Sequence, residues 1–230
     1  MQPDAADCLA AGSGGSGGAT GGGAATSSTS KASASASASG SGGSDTGGSS
    51  STGTGGSTVG CSDGEREGFA DGKFASIAAC AGGWSIPGVT GPPAPACNHG
   101  AGDDGANPDG AGCSAGDLCA TGWHVCATAG EVQAKSSVGC AGLNPIASGF
   151  YVTGQSGPGL AQCGVGANDL FGCGDLGLAP DPSCAPLDRF SNDLCSALGP
   201  PWSCGPDNLQ EATQAIKPSS AAGGVLCCTD

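Results

Sequence analysis

The segment CATGWHVC, residues 119–126, combines residue types that can bind a metal or exchange electrons. Two cysteines enclose Trp123 and His124, and the chain has only two histidines. Structural zinc sites place their cysteines two to four residues apart within each pair, whereas six residues separate Cys119 from Cys126. Redox sites use a low-pKa thiol, often in a C-x-x-C motif, which does not occur in the sequence. The spacing therefore favours a structural role, in which both cysteines fix a strand that carries Trp123 into the core.

Two further cysteines, Cys227 and Cys228, are adjacent in the sequence. A disulfide between neighbours would be strained and would suit a redox switch. Neighbouring cysteines more often bond to two different partners, and we expect that arrangement here.

Cysteine is dense throughout the region from Cys61 to Asp230, while aromatic residues make up only 4% of the chain. That composition indicates a domain held by disulfides rather than by its core alone. We expect seven bridges, although the pairing cannot be read from the sequence. Because cytosolic thiols stay reduced, we also expect an extracellular or cell-surface protein. The candidate disulfide residues are Cys61, Cys80, Cys97, Cys113, Cys119, Cys126, Cys140, Cys163, Cys173, Cys184, Cys195, Cys204, Cys227 and Cys228.

The loop GDDGANPDG offers oxygen ligands in Asp103, Asp104, Asn107 and Asp109. Hard oxygen ligands on a flexible loop suit calcium, although the loop does not fit the EF-hand pattern. The alternative is a solvated loop closed by Asx turns. Calcium is the one cofactor that the sequence suggests.

Two glycine-rich strings have the form of catalytic or cofactor motifs. GCSAG, residues 112–116, fits G-x-S-x-G and would make Ser114 a nucleophile, but that elbow needs a strand before it and a helix after it. GCGDLG, residues 172–177, fits G-x-G-x-x-G, but LAPDPSC follows in place of a helix. With 47 glycines in 230 residues, both matches are expected by chance. We predict no catalytic residue.

Residues 1–60 are almost entirely Gly, Ser, Ala and Thr from Leu9 onward. Such a segment lacks large apolar side chains, so nothing offsets the entropy of ordering it. We predict a disordered tether over residues 1–60 and a disulfide-rich domain over residues 61–230. Cys8 directly precedes the Gly/Ser/Ala/Thr-rich stretch and has the position of a lipid-anchor cysteine. Asp7 precedes it, where a small residue is usual.

The formal net charge of −14 argues against nucleic acid and anionic membranes as partners. No apolar stretch has the length of a transmembrane helix. The start MQPDAADCLA has neither a basic nor an apolar segment, so no export signal is visible in it.

Three segments carry helix patterns. Phe69, Phe74, Ile77 and Ala78 recur at helical spacing, and LDRFSNDLCSALG, residues 187–199, ends at a glycine before two prolines. In DNLQEATQAIKP, residues 207–218, Asn208 and Glu211 have capping-box spacing.

The remaining patterns indicate short strands and one further helix. TAGEVQAK begins at Thr128, which has capping-box spacing to Glu131. SGFYVTGQ alternates around residues 150–152, and both LCATGWHVC and the closing GGVLCC suit strands. The fold class expected is α+β, small and loop-rich.

LCATGWHVCATAGEV and GGVLCC together resemble an uncharacterised cysteine-rich domain of exported, myxobacterial-type proteins, which carry a Gly/Ser/Thr-rich tether after a lipoprotein cysteine. More weakly, they resemble C-type-lectin-like and formylglycine-generating-enzyme-like folds, where a GW strand leads into a capped helix and a glycine-rich strand closes the domain. The first resemblance implies a surface module and brings no known activity. The second implies a lectin-like fold, although the lectin sugar-site tripeptides are absent.

We therefore predict an extracytoplasmic, non-enzymatic surface or structural binding module whose partner is an extracellular protein or glycan. The alternative is a calcium-dependent, lectin-like module that binds a glycan or protein. A hydrolase that uses Ser114 ranks third.

Overall fold

The computed structural model describes residues 59–143, 148–155, 168–180, 182–192 and 194–230. Apart from Val59 and Gly60, the predicted tether lies outside these residues, so its extent stays a prediction. The described ranges hold a six-stranded sheet, short helices and several disulfides, which confirms the predicted disulfide-rich α+β class. The elements are β1 (Ile77–Ala81), β2 (Trp123–Val125), α1 (Ala129–Ser136), β3 (Phe150–Val152), β4 (Leu170–Gly174), β5 (Arg189–Ser191), α2 (Glu211–Gln214) and β6 (Gly223–Thr229), with 3₁₀ turns at Ala115–Leu118, Gly139–Leu143 and Pro182–Cys184.

The closing strand β6 is an interior strand that pairs with three others in the sheet, whose order is β1-β6-β3-β4-β5 with β2 also paired to β6. It pairs antiparallel with β1 through residues 224–228 and with β2 through residues 227–229. It also pairs parallel with β3 through residues 223–225. Because a strand has two edges, these overlapping registers place β1 on one edge of β6 and place β2 and β3 end to end on the other.

The sheet separates two apolar layers, because successive residues of a strand point to opposite faces. The first layer contains Val225 and Cys227 of β6 with the three tryptophans. The second contains Leu226 and Cys228 of β6, and it also holds Val132 of α1. Both faces of β6 are therefore buried, which explains why GGVLCC has no polar residue.

The helix predicted from Phe69, Phe74, Ile77 and Ala78 is wrong, since Ile77 begins β1. Arg66 supplies the physical reason. Its guanidinium donates hydrogen bonds to the carbonyls of Phe69 and Phe74, at 2.9 and 2.8 Å, and to that of Ile77 at 3.2 Å. These carbonyls are thus satisfied by a side chain, and Ile77 and Ala78 enter opposite layers of the core.

The helix predicted over residues 187–199 is also wrong. Residues 189–191 form β5, which pairs with β4. Beyond it, Leu194 and Cys195 have φ of 65° and 64°, a left-handed conformation that a right-handed helix cannot continue through. The disulfide between Cys195 and Cys204 follows immediately.

The two α-helices differ in how well capping patterns predicted them. Thr128 caps α1 as expected, because its Oγ1 accepts a hydrogen bond from the Glu131 N–H at 3.1 Å. The start predicted at Asn208 is wrong, since α2 has only four residues and Gln210 occupies its N-cap. No helix within the described ranges is long and apolar enough to cross a membrane.

Candidate functional site

The two cysteines of CATGWHVC are bonded to β6 and not to each other. Cys119 pairs with Cys227, and Cys126 pairs with Cys228, at sulfur–sulfur distances of 2.01 and 2.00 Å. Cys227 and Cys228 point to opposite faces of the sheet, so each disulfide ties β6 to a different apolar layer. The expectation that the neighbouring cysteines bond to different partners therefore holds.

The described residues contain both cysteines of four further disulfides, and Cys184 is disulfide-bonded as well. Cys163 and Cys8 lie outside the described residues. Disulfides at this density form and persist in oxidising compartments, which indicates an environment outside the reducing cytosol. The four pairs are Cys61–Cys80, Cys97–Cys113, Cys140–Cys173 and Cys195–Cys204.

The strand β2 carries Trp123 into the first apolar layer, as expected. The Trp123 side chain is 6% exposed, and the Arg66 guanidinium lies 5.5 Å from the centre of its ring. Arg66 thus stacks on the indole while it binds the carbonyls of the loop before β1. Trp123 has a packing role, and the same arginine joins β2 to that loop.

His124 points away from Trp123 and lies between two carboxylates. Its Nε2 is 3.0 Å from an oxygen of Glu131, and its Nδ1 is 2.7 Å from an oxygen of Asp230. The flanking Cys119 and Cys126 are disulfide-bonded, and a disulfide sulfur is a poor metal ligand. The two ring nitrogens of His124 are therefore engaged by carboxylates of the protein itself.

Ser114 lies in a network centred on the fully buried carboxylate of Asp117. The Ser114 hydroxyl is 2.8 Å from the carbonyl oxygen of Ala94 and 3.0 Å from Asp117 Oδ2. The ring of His99 contacts a backbone carbonyl instead, with Nδ1 2.5 Å from the oxygen of Cys119. A hydrolase needs its serine against a general base such as histidine, and here the serine faces a carboxylate and a carbonyl. The network binds backbone groups at both ends of the loop over residues 97–113.

GCGDLG does not form a phosphate cradle. Gly172 and Gly174 lie in β4, where an added Cβ would overlap the carbonyl oxygens of Tyr151 in the neighbouring strand β3 and of Gly149 directly before it. These glycines are required by the close approach of β3 and β4.

The structure brings two of the four candidate calcium ligands together with a third carboxylate from another segment. Three carboxylates come within 4.8 Å of one another in the described part of the chain, and they belong to Glu67, Asp103 and Asp104. Asn107 is used by its own loop, because its side chain accepts from the N–H of Ala111 and donates to the carbonyl of the same residue. Asp109 lies outside the cluster and acts electrostatically on Lys217. We call Glu67, Asp103 and Asp104 the acidic corner.

The acidic corner is held by the end of β1. The backbone N–H of Ala81 donates to a carboxylate oxygen of Glu67 at 2.5 Å, and the Ala81 carbonyl accepts from the N–H of Asp103 at 3.3 Å. Asp63 is adjacent, with one carboxylate oxygen 3.4 Å from the N–H of Asp104. Asp103 Oδ1 is buried and has no hydrogen-bond partner among the described residues.

Burial and mutual repulsion shape the charges there. Burial, followed by the negative charges of Asp103 and Asp63, raises the pKa of Glu67 to about 7. Burial and the charges of Asp63 and Asp104 raise the pKa of Asp103. Burial also lowers the pKa of Lys217 to about 7, although Asp103 and Asp109 oppose that shift. Lys217 donates to the carbonyls of Gly82 and Ser219 at 2.7 and 2.6 Å.

Sequence reasoning identified two members of the acidic corner, Asp103 and Asp104, and missed Glu67 and the adjacent Asp63. The missed pair lies in CSDGEREG, about forty residues earlier in the chain. The only signal was the acidic character of that stretch, and nothing in it specified contact with the later loop. Both segments are joined to β1: the first through the Cys61–Cys80 disulfide and the hydrogen bond from the Glu67 N–H to the Ala79 carbonyl, and the later loop through the bond from the Asp103 N–H to the Ala81 carbonyl.

No family model and no solved structure matches the chain. The proposals on function therefore rest on the geometry described above.

Proposed function

We propose that this chain is a non-enzymatic binding module that works outside the cytosol. The observation that carries the proposal is that the fold itself uses the polar side chains that catalysis would need. Ser114 bonds to a carbonyl and a carboxylate, and His99 contacts a carbonyl. His124 is engaged by two carboxylates. Groups committed in this way support binding and structural roles better than bond-breaking chemistry.

A serine-reactive fluorophosphonate probe tests the non-enzymatic part of the proposal. We expect no labelling of Ser114 in the oxidised chain, because its hydroxyl is buried beside the Ala94 carbonyl. The adjacent Asp117 carboxylate is held by four backbone N–H groups, which lower its basicity. Peptide mapping by mass spectrometry would locate any label, and Ser114→Ala is the matched control. Labelling that Ser114→Ala abolishes would overturn the proposal in favour of a hydrolase.

The partner we propose is an extracellular protein or glycan, in keeping with the resemblance to surface modules and lectin-like folds. The order of elements supports it: a GW strand, β2, leads into the capped helix α1, and a glycine-rich strand, β6, closes the domain beside β2. A glycan and protein array probed with the oxidised full chain, and then with reduced chain as control, tests this partner. We expect binding by the oxidised chain alone. Equal signals from both chains would exclude a folded binding site.

A second candidate function, calcium-dependent binding, rests on the acidic corner. Calcium takes six to eight oxygen ligands, largely carboxylates and carbonyls, and all ligands in the corner are carboxylate oxygens. The partnerless Asp103 Oδ1 supports the assignment, since a buried acceptor without a donor is costly and a cation would satisfy it. Glu67, Asp103 and Asp104 would hold the ion, and water would complete its coordination.

Calorimetric titration of calcium into the full chain tests this candidate. We expect a dissociation constant of about 0.1–1 mM, as in other extracellular modules. We also expect proton release near pH 7, because calcium displaces the proton that Glu67 holds at its raised pKa. Titration in buffers of different ionisation enthalpy measures that release.

Two substitutions distinguish the observed acidic corner from the loop set that the sequence suggested. Asp103→Asn should weaken calcium binding by about tenfold or more, because it removes a charged ligand. Asp109→Asn is the matched control in the same loop and should leave binding unchanged. Equal losses in both variants would return the site to the loop, and heat signals that magnesium reproduces at the same concentration would mark a diffuse electrostatic effect.

The proposal also includes export to the cell surface with Cys8 as a lipid anchor. Intact-mass analysis of chain isolated from the membrane fraction should show acyl groups at Cys8. Cys8→Ser should release the chain to the soluble fraction. An unmodified Cys8 in exported protein would remove the anchor while leaving the binding proposal intact.

A further inference from the structure

The imidazole of His124 connects three elements through two carboxylates. His124 lies on β2, Glu131 lies in the first turn of α1, and Asp230 follows β6. The two nitrogen–oxygen distances are 3.0 Å to Glu131 and 2.7 Å to Asp230. This pair of contacts is the only point at which one titratable side chain links all three elements within the described residues.

A count of protons shows why these contacts depend on pH. A neutral imidazole carries one N–H and one acceptor nitrogen, whereas an imidazolium carries two N–H groups. Ionised carboxylates are acceptors only. The two contacts of His124 can therefore be hydrogen bonds at the same time only when the ring is protonated. Loss of one proton leaves one ring nitrogen with a lone pair that faces a carboxylate oxygen.

The other charged groups near the ring do not replace the lost bond. Lys135 of α1 donates its ammonium protons to the carbonyl and hydroxyl of Thr229, at 2.7 and 3.0 Å. Arg66 stacks on the neighbouring Trp123. Asp117, on the 3₁₀ turn that packs against β2, is occupied by backbone N–H groups.

Burial decides which contact opens. The Glu131 side chain is 20% exposed, and its second oxygen accepts from the N–H of Ala127 at 2.7 Å. The Asp230 side chain is 67% exposed, so water can take over its solvation. Deprotonation should therefore keep the bond from His124 to Glu131 and release Asp230.

We propose that His124 is a proton-operated clasp that joins α1 and β2 to the end of β6 when protonated and lets Asp230 go when neutral. The Cys126–Cys228 disulfide holds β6 as far as residue 228 in either state. The change is therefore confined to Thr229 and Asp230, the residues beyond that disulfide. The clasp is independent of the proposed binding function and of the acidic corner.

The first experiment compares melting temperatures of the oxidised full chain and of His124→Gln across pH. Glutamine has a similar reach and does not titrate between about pH 5.5 and pH 8. We expect wild type to melt about 2–4 °C above the variant at the acidic end, and the difference to vanish at the alkaline end. Titrating groups that do not contact His124 contribute equally to both proteins and cancel. A difference that stays constant with pH would overturn the clasp and leave His124 a packing residue.

Two matched controls isolate the proton-dependent contact. His99→Gln removes a ring that contacts one carbonyl, which a neutral imidazole satisfies, so its effect on melting should not follow this pH dependence. Lys135→Met removes a proton-independent tie between α1 and Thr229, so its cost should be the same at both ends of the range.

The second experiment needs no variant. The amide of Asp230 donates to the carbonyl of Gly122 at 3.2 Å, and it should exchange with solvent more readily when the clasp opens. After correction for intrinsic exchange, we expect its protection to fall severalfold from about pH 5.5 to about pH 8, while amides within β1 keep theirs. Unchanged protection at Asp230 would contradict the proposal even if His124→Gln failed to fold.

Discussion

Asp117 and Asp103 belong to the same part of the chain and have opposite environments. Asp117 is fully buried and accepts hydrogen bonds from the N–H groups of Ala96, Cys97, His99 and Ser114. Burial by itself would raise its pKa, but these donors hold the pKa below its usual range. Asp103 has a buried oxygen without a donor in the described part of the chain and lies beside other carboxylates. Burial and repulsion raise its pKa.

The number of hydrogen-bond donors around each carboxylate distinguishes a structural carboxylate from a candidate ligand. Asp117 closes the loop over residues 97–113 beside the Cys97–Cys113 disulfide, and four of the hydrogen bonds it accepts come from backbone N–H groups. Asp103 lies within that loop, where burial and the charges of Asp63 and Asp104 outweigh the attraction of Lys217. A carboxylate of the first kind stabilises the fold, whereas one of the second kind favours a proton or a cation.

The largest effect that we expect comes from Asp117→Asn. The amide nitrogen cannot accept, so at least two charge-assisted hydrogen bonds are lost at a cost of about 3–5 kcal/mol. Denaturant unfolding with the disulfides intact measures that cost. Ser114→Ala removes one donor and should cost clearly less. If Asp117→Asn cost no more than Asp103→Asn, the contrast between the two carboxylates would be wrong.

The next effect concerns the disulfide beside Asp117. Replacing both Cys97 and Cys113 by serine frees a loop whose ends are 16 residues apart, and we expect a loss of about 3 kcal/mol. Thermal and denaturant unfolding of the double variant would measure it. Because Asp117 binds the same two ends, combining this change with Asp117→Asn should cost more than the sum of the two. Additive costs would show that the carboxylate and the disulfide act independently.

A smaller effect is expected in the pH profile near the acidic corner. The pKa of Glu67 is raised from 4.5 to about 7, so stability from its protonated form is lost as pH rises through 7. The pKa of Lys217 is lowered from 10.5 to about 7, so stability from its neutral form is lost as pH falls through 7. Together they predict a minimum in melting temperature near pH 7 in the presence of EDTA.

Two variants test which residue causes the change in melting temperature on each side of that minimum. Glu67→Gln should flatten the acidic side, and Lys217→Met should flatten the alkaline side. A maximum near neutral pH in both wild type and variants would mean that these groups are better solvated than the structure indicates.

The smallest effect, and the only one of opposite sign, is expected for Asp103→Asn. Removing this charge relieves repulsion with Asp63 and Asp104, and we expect a gain of about 0.5 kcal/mol without calcium, since Asp103 is partly exposed and solvent screens it. Adding calcium should reverse the order, because only wild type gains stability from the ion. A variant that is less stable than wild type in EDTA would place Asp103 in the same class as Asp117.

The elements that were predicted correctly from the sequence are those whose local residue pattern favours the same conformation as their packing in the folded protein. GGVLCC is a strand because both of its faces are buried, and Thr128 caps a helix because the cap bond to Glu131 is local. The helix expected around Phe69 and Phe74 failed because Arg66 takes the carbonyls that a helix would use. The spacing of apolar residues within a segment does not reveal that an arginine outside the segment binds its backbone carbonyls.

Prediction of the candidate site was limited in the same way. The loop with Asp103 and Asp104 was identifiable because oxygen ligands cluster there in sequence. Asn107 and Asp109 looked equivalent to them, but hydrogen bonds to Ala111 and attraction to Lys217 give these two residues other partners. Glu67 joins the site only through contacts with Ala79 and Ala81 that follow from sheet pairing.

Composition and local spacing by themselves determined the class of this protein: a disulfide-held domain for an oxidising environment, with β6 as a buried strand and a capped helix after β2. These properties follow from residue types and from neighbours a few positions apart. Tertiary structure alone decided that Cys119 and Cys126 bond to Cys227 and Cys228, and which carboxylates meet at the acidic corner. It also decided that His124 lies between Glu131 and Asp230. These outcomes depend on pairing between segments up to about a hundred residues apart, which single-sequence periodicity does not encode.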